Sequence, residues 1–174
     1  MVKKIVIALL CAALGSSLYA RGDMSESRTF IGLEVGYSEV QGDTFYDIGY
    51  TGDSDIEFGA RIGAQKDDWR TTFIFDYYDS TDNDQNVETL LMTVDYFVLD
   101  NASAFKPYIG VNVGYANYES TFIEDSGWVY GGQAGFLIDV ADMVNLDLSY
   151  RYSLSSADVF DHKGSIFFGA NYLF

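Results

Sequence analysis

Eight ionisable residues interrupt the apolar stretches of this chain: Glu34, Glu57, Arg61, Arg70, Asp76, Asp95, Asp147 and Arg151. Carboxylates and guanidinium groups drawn together out of water must pair, because an isolated buried charge is costly. Two readings follow. The three arginines neutralise the five carboxylates in an internal network, or such a network gates a narrow ion path. A second set of acids is Glu39, Asp43, Asp47, Asp53, Asp82, Asp84, Glu119, Glu124, Asp125, Asp158 and Asp161, with Lys163 as the one cation among them. It is either a solvated, repulsive surface or a place where divalent cations meet carboxylate oxygens. Asp79-Ser-Thr-Asp-Asn-Asp84 has the carboxylates of a calcium loop but not its glycine or closing glutamate. His162, the only imidazole, stands near Asp161 and Ser165, the residue types of nucleophilic catalysis. Alternation puts His162 and Ser165 on opposite faces, so a working triad is not expected.

The elements that position these residues repeat every second residue. In Thr29–Tyr37 one face holds Ile31, Leu33, Val35 and Tyr37, and the other holds Phe30, Gly32, Glu34 and Gly36. Successive strand side chains point to opposite faces, so this is a strand with one apolar face. The pattern returns at about 55–64, 69–79, 87–98, 107–117, 128–138, 145–154 and 164–174, and nothing between repeats at helical spacing. The chain is predicted to be all-β, with eight strands.

One face collects bulky and aromatic residues and no charge. The other carries the eight ionisable residues with Gly, Ser, Thr and Asn between them, including Gly32, Gly36, Gly59, Gly63, Gly110, Gly114, Gly131, Gly135 and Gly169. Small residues suit the crowded interior of a narrow barrel, and large ones suit a lipid-facing exterior. A soluble sandwich would reverse that distribution. Segments of ten to twelve residues also match the ~9–11 that a tilted membrane-crossing strand needs. Connections at 39–54, 80–86, 118–127 and 155–163 run longer than most of those at 65–68, 99–106 and 139–144, so the longer set is assigned to the outside. Tyr37, Tyr77, Tyr115, Tyr130 and Tyr152 then fall near outer strand ends, and Trp69, Tyr96, Tyr172 and Phe174 near inner ends. A wide diffusion pore is not expected at this strand number.

Composition agrees. The chain has 174 residues, one domain's length, with 26 acidic and 10 basic residues and a net charge of −16. That balance disfavours nucleic acid, which demands clustered Lys and Arg. Aromatics at 17% argue against disorder, although mean hydropathy is only +0.01. Met1-Val2-Lys3-Lys4, the apolar run Ile5–Leu14 and the small residues ending at Ala20 form a secretory signal, residues 1–20, cut after Ala20 or alternatively after Ser17. Cys11, the only cysteine, leaves with it, and Leu10 before it does not suit lipid attachment. Residues 21–174 form the barrel domain, without disulfides; 8 cations remain against 26 acids, a charge of −18. Arg21-Gly22-Asp23 spells an adhesion tripeptide at the wrong end of the barrel and is read as chance.

The final segment, Ile166-Phe-Phe-Gly-Ala-Asn-Tyr-Leu-Phe174, with Ile166, Phe168, Tyr172 and Phe174 on one face, resembles the C-terminal assembly signal of bacterial outer-membrane barrels. Lys106–Tyr115 and Leu146–Tyr152 are similar to strands of the small eight-stranded superfamily of the OmpA transmembrane domain, OmpX and the opacity proteins. The resemblance spans residues 21–174. It implies an up-and-down transmembrane barrel in a Gram-negative outer membrane, a cell-surface, porin-like architecture without enzymatic activity or cofactor. The expected partners are outer-membrane lipid, lipopolysaccharide and the barrel assembly machinery, with divalent cations at the acidic loops as the alternative reading of those carboxylates, and a monomer is expected. The role is structural or surface-interacting; the alternatives are a low-conductance channel and, further off, a lipid-modifying enzyme. With Phe174 as the last residue, the periplasmic peptidoglycan-binding domain of full OmpA-type proteins is expected to be absent. Intact mass of the exported protein tests the leader: a chain beginning at Arg21 is expected, one beginning at Leu18 marks the alternative cut, and retention of Met1 refutes export by this route.

Overall fold

A computed structural model describes residues 27–41, 53–80, 85–99, 103–120, 124–156 and 162–174. The leader, Arg21-Gly22-Asp23 and the loop acids Asp43, Asp47, Asp82, Asp84, Asp158 and Asp161 lie outside them, as do the side chains of Asp53, Glu119, Glu124 and Asp125.

Eight strands form: β1 Arg28–Gln41, β2 Asp53–Lys66, β3 Trp69–Ser80, β4 Gln85–Phe97, β5 Phe105–Ser120, β6 Glu124–Ala141, β7 Val144–Ser155 and β8 His162–Leu173. Each pairs antiparallel with the next, and β8 returns to β1, so the sheet is a closed barrel. Closure pairs the backbone donors and acceptors that an open edge would leave to lipid. Asp67, with φ 52°, adopts the left-handed conformation that a tight turn requires and closes the β2–β3 hairpin. The β6–β7 hairpin turns at Asp142–Met143 after a register shift between Asp139 and Ala141.

The strands outrun the sequence expectation at the outer end. Most of 118–127, expected as loop, is ladder, with Glu119 opposite Glu124 and Tyr118 opposite Asp125. Above the apolar belt both faces turn polar, and alternation loses its contrast there. Lys163, also expected in a loop, is in β8. Counting back from a turn at 65–68 puts Glu57 roughly level with Asp76, but Asp76 stands opposite Gly59 and Glu57 opposite Tyr78, because Gln65 and Lys66 extend β2 and leave the turn to Asp67 and Asp68.

The exterior is apolar from rim to rim, including Leu33, Phe58, Ile109, Val111, Leu148, Ile166 and Phe168. Such a surface is lipid-facing rather than water-facing. Trp69 packs on Tyr96 at 5.0 Å between ring centroids, at the end shared with both termini, and Trp128 packs edge-on to Tyr115 at 5.8 Å at the other. From Trp128 to Ile138 along β6 is ten residues, which at the usual rise and tilt spans about 25 Å, the height of a membrane barrel's apolar band. Trp69 and Trp128 are the only two tryptophans. In vesicles, lipids brominated near the headgroups should therefore quench nearly all intrinsic tryptophan emission, and lipids brominated at the chain ends little of it. Preferential quenching by the chain-end label would refute the assigned depth.

Candidate functional site in the barrel lumen

Inward-facing positions bring all eight ionisable residues named from the sequence into the lumen, each buried. Arg70 and Asp95 face each other across β3 and β4, and Arg70 Nε donates to Asp95 Oδ2 at 2.9 Å. Arg70 Nη1 also donates to Asp147 Oδ2 at 2.6 Å. Arg61 Nη1 lies 3.5 Å from that oxygen and donates to Glu34 Oε2 at 2.9 Å. Arg151 Nη2 donates to Glu34 Oε1 at 3.0 Å, and its Nε donates to Gln133 Oε1 at 3.1 Å. Gln133 Nε2 then donates to Asp95 Oδ1 at 2.6 Å. The chain of contacts closes on itself: Arg151, Glu34, Arg61, Asp147, Arg70, Asp95, Gln133, and back to Arg151. Six strands supply it.

Two groups hang from this ring. Arg151 Nη1 donates to Asp76 Oδ2 at 2.7 Å, and the Tyr108 hydroxyl donates to Asp147 Oδ1 at 2.7 Å. Glu57 stands apart toward the outer end, held by Lys163 and by the Ser38 hydroxyl, which also meets Ser165 Oγ at 2.7 Å. Lys106 pairs with Asp139 at 2.8 Å at the inner mouth.

Glycines make room for these groups. A Cβ at Gly59 would collide with Asp76 and Glu34, one at Gly110 with Asp95, and one at Gly169 with the Arg61 guanidinium. Each large polar side chain thus lies over a neighbouring strand that offers only backbone.

Sequence reasoning missed part of the lumen. It placed Gly, Ser, Thr and Asn between the charges, but two apolar clusters also point inward. One is Ile74, Tyr78, Val87, Leu91, Ala116 and Val129 toward the outer end; the other is Phe97, Tyr108 and Leu137 toward the inner end. The Arg70 guanidinium lies 4.4 Å from the Tyr108 ring centroid, and that of Arg151 lies 4.4 Å from Phe167. Gln133 and Lys163 were missed as well. The signal that finds all of them is position parity: Lys163 shares the face of Ser165 and Gly169, and Tyr108 that of Gly110.

Side chains from all eight strands point into the lumen. A cavity of about 10 Å³, room for one water, is bounded by Asp76, Thr89, Arg151, Ser153, Lys163 and Ser165 among others. His162 faces outward beside Tyr152, 5.6 Å between rings, while Ser165 points inward, so the two do not converge. No group of three or more His, Cys, Asp or Glu suited to a metal ion occurs among the described residues. Ile166, Phe168, Tyr172 and Phe174 all face outward.

No protein-family model matches the chain, and no curated relative does. Among solved structures it is similar to Neisserial surface protein A (NspA), at 16% identity and TM-score 0.69, over 84% of this chain and 97% of that one. It is similar to outer membrane protein H (OprH) from P. aeruginosa, at 20% and 0.61, over 84% and 99%. It is also similar to Ail, the attachment invasion locus protein of Yersinia pestis, in complex with the heparin analogue sucrose octasulfate, at 19% and 0.53, over 86% and 99%. These likenesses show the fold, the small eight-stranded barrel of outer-membrane proteins.

Arg70→Met strips Asp95 and Asp147 of a shared partner. It is expected to cost about 3–5 kcal/mol in reversible urea unfolding, the range for breaking a buried pair. Lys106→Met, whose partner Asp139 is 36% exposed, should cost less than about 1 kcal/mol. Equal losses would show that the ring has no special weight.

Proposed function

We propose that this chain is a monomeric, non-enzymatic protein of the Gram-negative outer membrane, with a structural or surface-interaction role. The observation that carries the reading is the lumen, closed by the ion-pair ring between two apolar clusters, inside an apolar exterior. Such an interior holds a barrel rigid and offers solutes no passage. Its outward-facing β8 side chains suit recognition by the barrel assembly machinery.

Charge placement supports a surface role. Of the Lys and Arg from Arg28 onward, Arg61, Arg70, Arg151 and Lys163 are in the lumen, and Arg28, Lys66 and Lys106 are at the end that carries the termini. Among the described residues the other end exposes Glu39 and Glu88 and no Lys or Arg. A surface of that sign suits cationic ligands, and contact with anionic lipopolysaccharide would run through divalent cations. A polyanion such as the heparin analogue bound by Ail is a poor fit.

A narrow ion path is the second reading. It is favoured by the polar wall that Ser153, Arg151, Ser149 and Asp147 of β7 build with Lys163, Ser165 and Asn171 of β8. Planar bilayers separate the two. The purified barrel should give no stepwise conductance, and it should fractionate with outer membranes and migrate differently when boiled. Reproducible openings altered by Arg151→Met would replace the structural reading with the channel, and recovery as a soluble periplasmic protein would end both.

A further inference from the structure

Apart from the Lys106–Asp139 pair at the inner mouth, which balances itself, the described residues bury in the lumen five carboxylates, Glu34, Glu57, Asp76, Asp95 and Asp147, against four cations, Arg61, Arg70, Arg151 and Lys163. One negative charge is left over, and where it falls can be read from the contacts. Glu57 has Lys163 and Ser38; Asp95 has Arg70 and Gln133. Asp147 has Arg70, Arg61 and Tyr108, and Glu34 has Arg61 and Arg151. Asp76 has Arg151 alone, and shares it with Glu34. Its second oxygen, Oδ1, is buried with no hydrogen-bond partner among the described residues.

Register explains where that oxygen sits. Glu34 of β1 and Asp76 of β3 both stand opposite Gly59 of the strand between them. A Cβ on Gly59 would collide with Asp76 Oδ1, come within 2.7 Å of Glu34 Cγ and lie 3.3 Å from Glu34 Oε1. Two carboxylates therefore converge over bare backbone while leaning on one guanidinium. On the far side of Asp76, its β4 partner Thr89 likewise has a buried hydroxyl without a partner, and both residues border the one-water cavity.

We propose that the Glu34–Asp76 pair over Gly59 is a binding site for one monovalent positive charge, carried by a proton or by a small alkali ion. Carboxylates this close, out of water, take up a cation rather than both remain bare. A divalent ion would overshoot the single missing charge beside Arg151 and Lys163. The charged groups facing Asp76 are Glu34 on β1, Glu57 on β2, Arg151 on β7 and Lys163 on β8. From β4, β5 and β6 come only Thr89, Leu91, Ala116 and Val129, none of them charged.

The two carriers separate in urea unfolding of the refolded barrel, followed by tryptophan emission, with wild type and Asp76→Asn side by side. In one arm pH is raised from mildly acidic to mildly alkaline in choline chloride. If a proton is held, the native state binds one more proton than the unfolded chain, so the wild-type midpoint falls relative to the variant as pH rises. In the other arm sodium replaces choline at fixed pH and ionic strength, and a bound alkali ion raises the wild-type midpoint alone. In both, the neutral amide of Asp76→Asn abolishes the dependence and holds the midpoint at or above wild type. The site is refuted if wild type and variant respond alike in both arms. It is equally refuted if Asp76→Asn loses as much stability as Asp147→Asn, whose carboxylate faces two guanidinium groups.

Discussion

A ring of buried ion pairs is the constraint on which this barrel is organised. In the interior, mutual attraction between charges is strong, but so is the cost of removing each from water. An arrangement stands when each charge has a partner of the other sign, even though Arg61 Nε and Nη2 and Asp76 Oδ1 are buried without a hydrogen bond. Arg70 and Arg151 meet that condition from opposite sides, each holding two carboxylates and an aromatic face, with Gln133 as the neutral link that closes the circle. Because six strands contribute, a slip in any one register would break several pairs together. The ring therefore specifies strand alignment as much as it adds stability.

The rest of the lumen follows from making room for that ring and keeping it dry. Eight strands leave space for one layer of large side chains, so Gly59, Gly110 and Gly169 lie under the carboxylates and guanidinium groups that cross above them. Two apolar clusters flank the ring toward the two ends, and they are unevenly placed. The two clusters come from β3 to β6, while Ser38, Ser153, Ser165, Asn145 and Asn171 lie on β1, β7 and β8. One wall of the interior resembles a protein core and the other a hydrogen-bonded seam.

Outside, the logic inverts. Lipid cannot satisfy a polar group, so the outward set is apolar between two aromatic levels, marked by Trp69 with Tyr96 and Trp128 with Tyr115. Cations are spent inside or kept at the end bearing the termini. Among the described residues the opposite end keeps Glu39 and Glu88 exposed, with no Lys or Arg outside the lumen.

A period of two was enough to read the eight strands, their inward and outward faces and the eight lumen charges, because alternation is a property of the strand itself and needs no knowledge of neighbours. Counting across the 80–86 connection likewise puts Arg70 close to Asp95, since the two flank one hairpin, and they stand opposite each other. Strand ends above the belt were illegible, because both faces are polar there and the contrast vanishes. The wrong level for Glu57 came from counting Gln65 and Lys66 as turn, when both pair in the β2–β3 ladder and move the hairpin's centre. Everything that joins distant strands was decided only by closure. Arg70 with Asp147, Arg151 with Asp76, and Lys163 with Glu57 are separated by 77, 75 and 106 residues. No local pattern carries the stagger at which a rolled sheet meets itself, and that stagger chooses which charges share the axis.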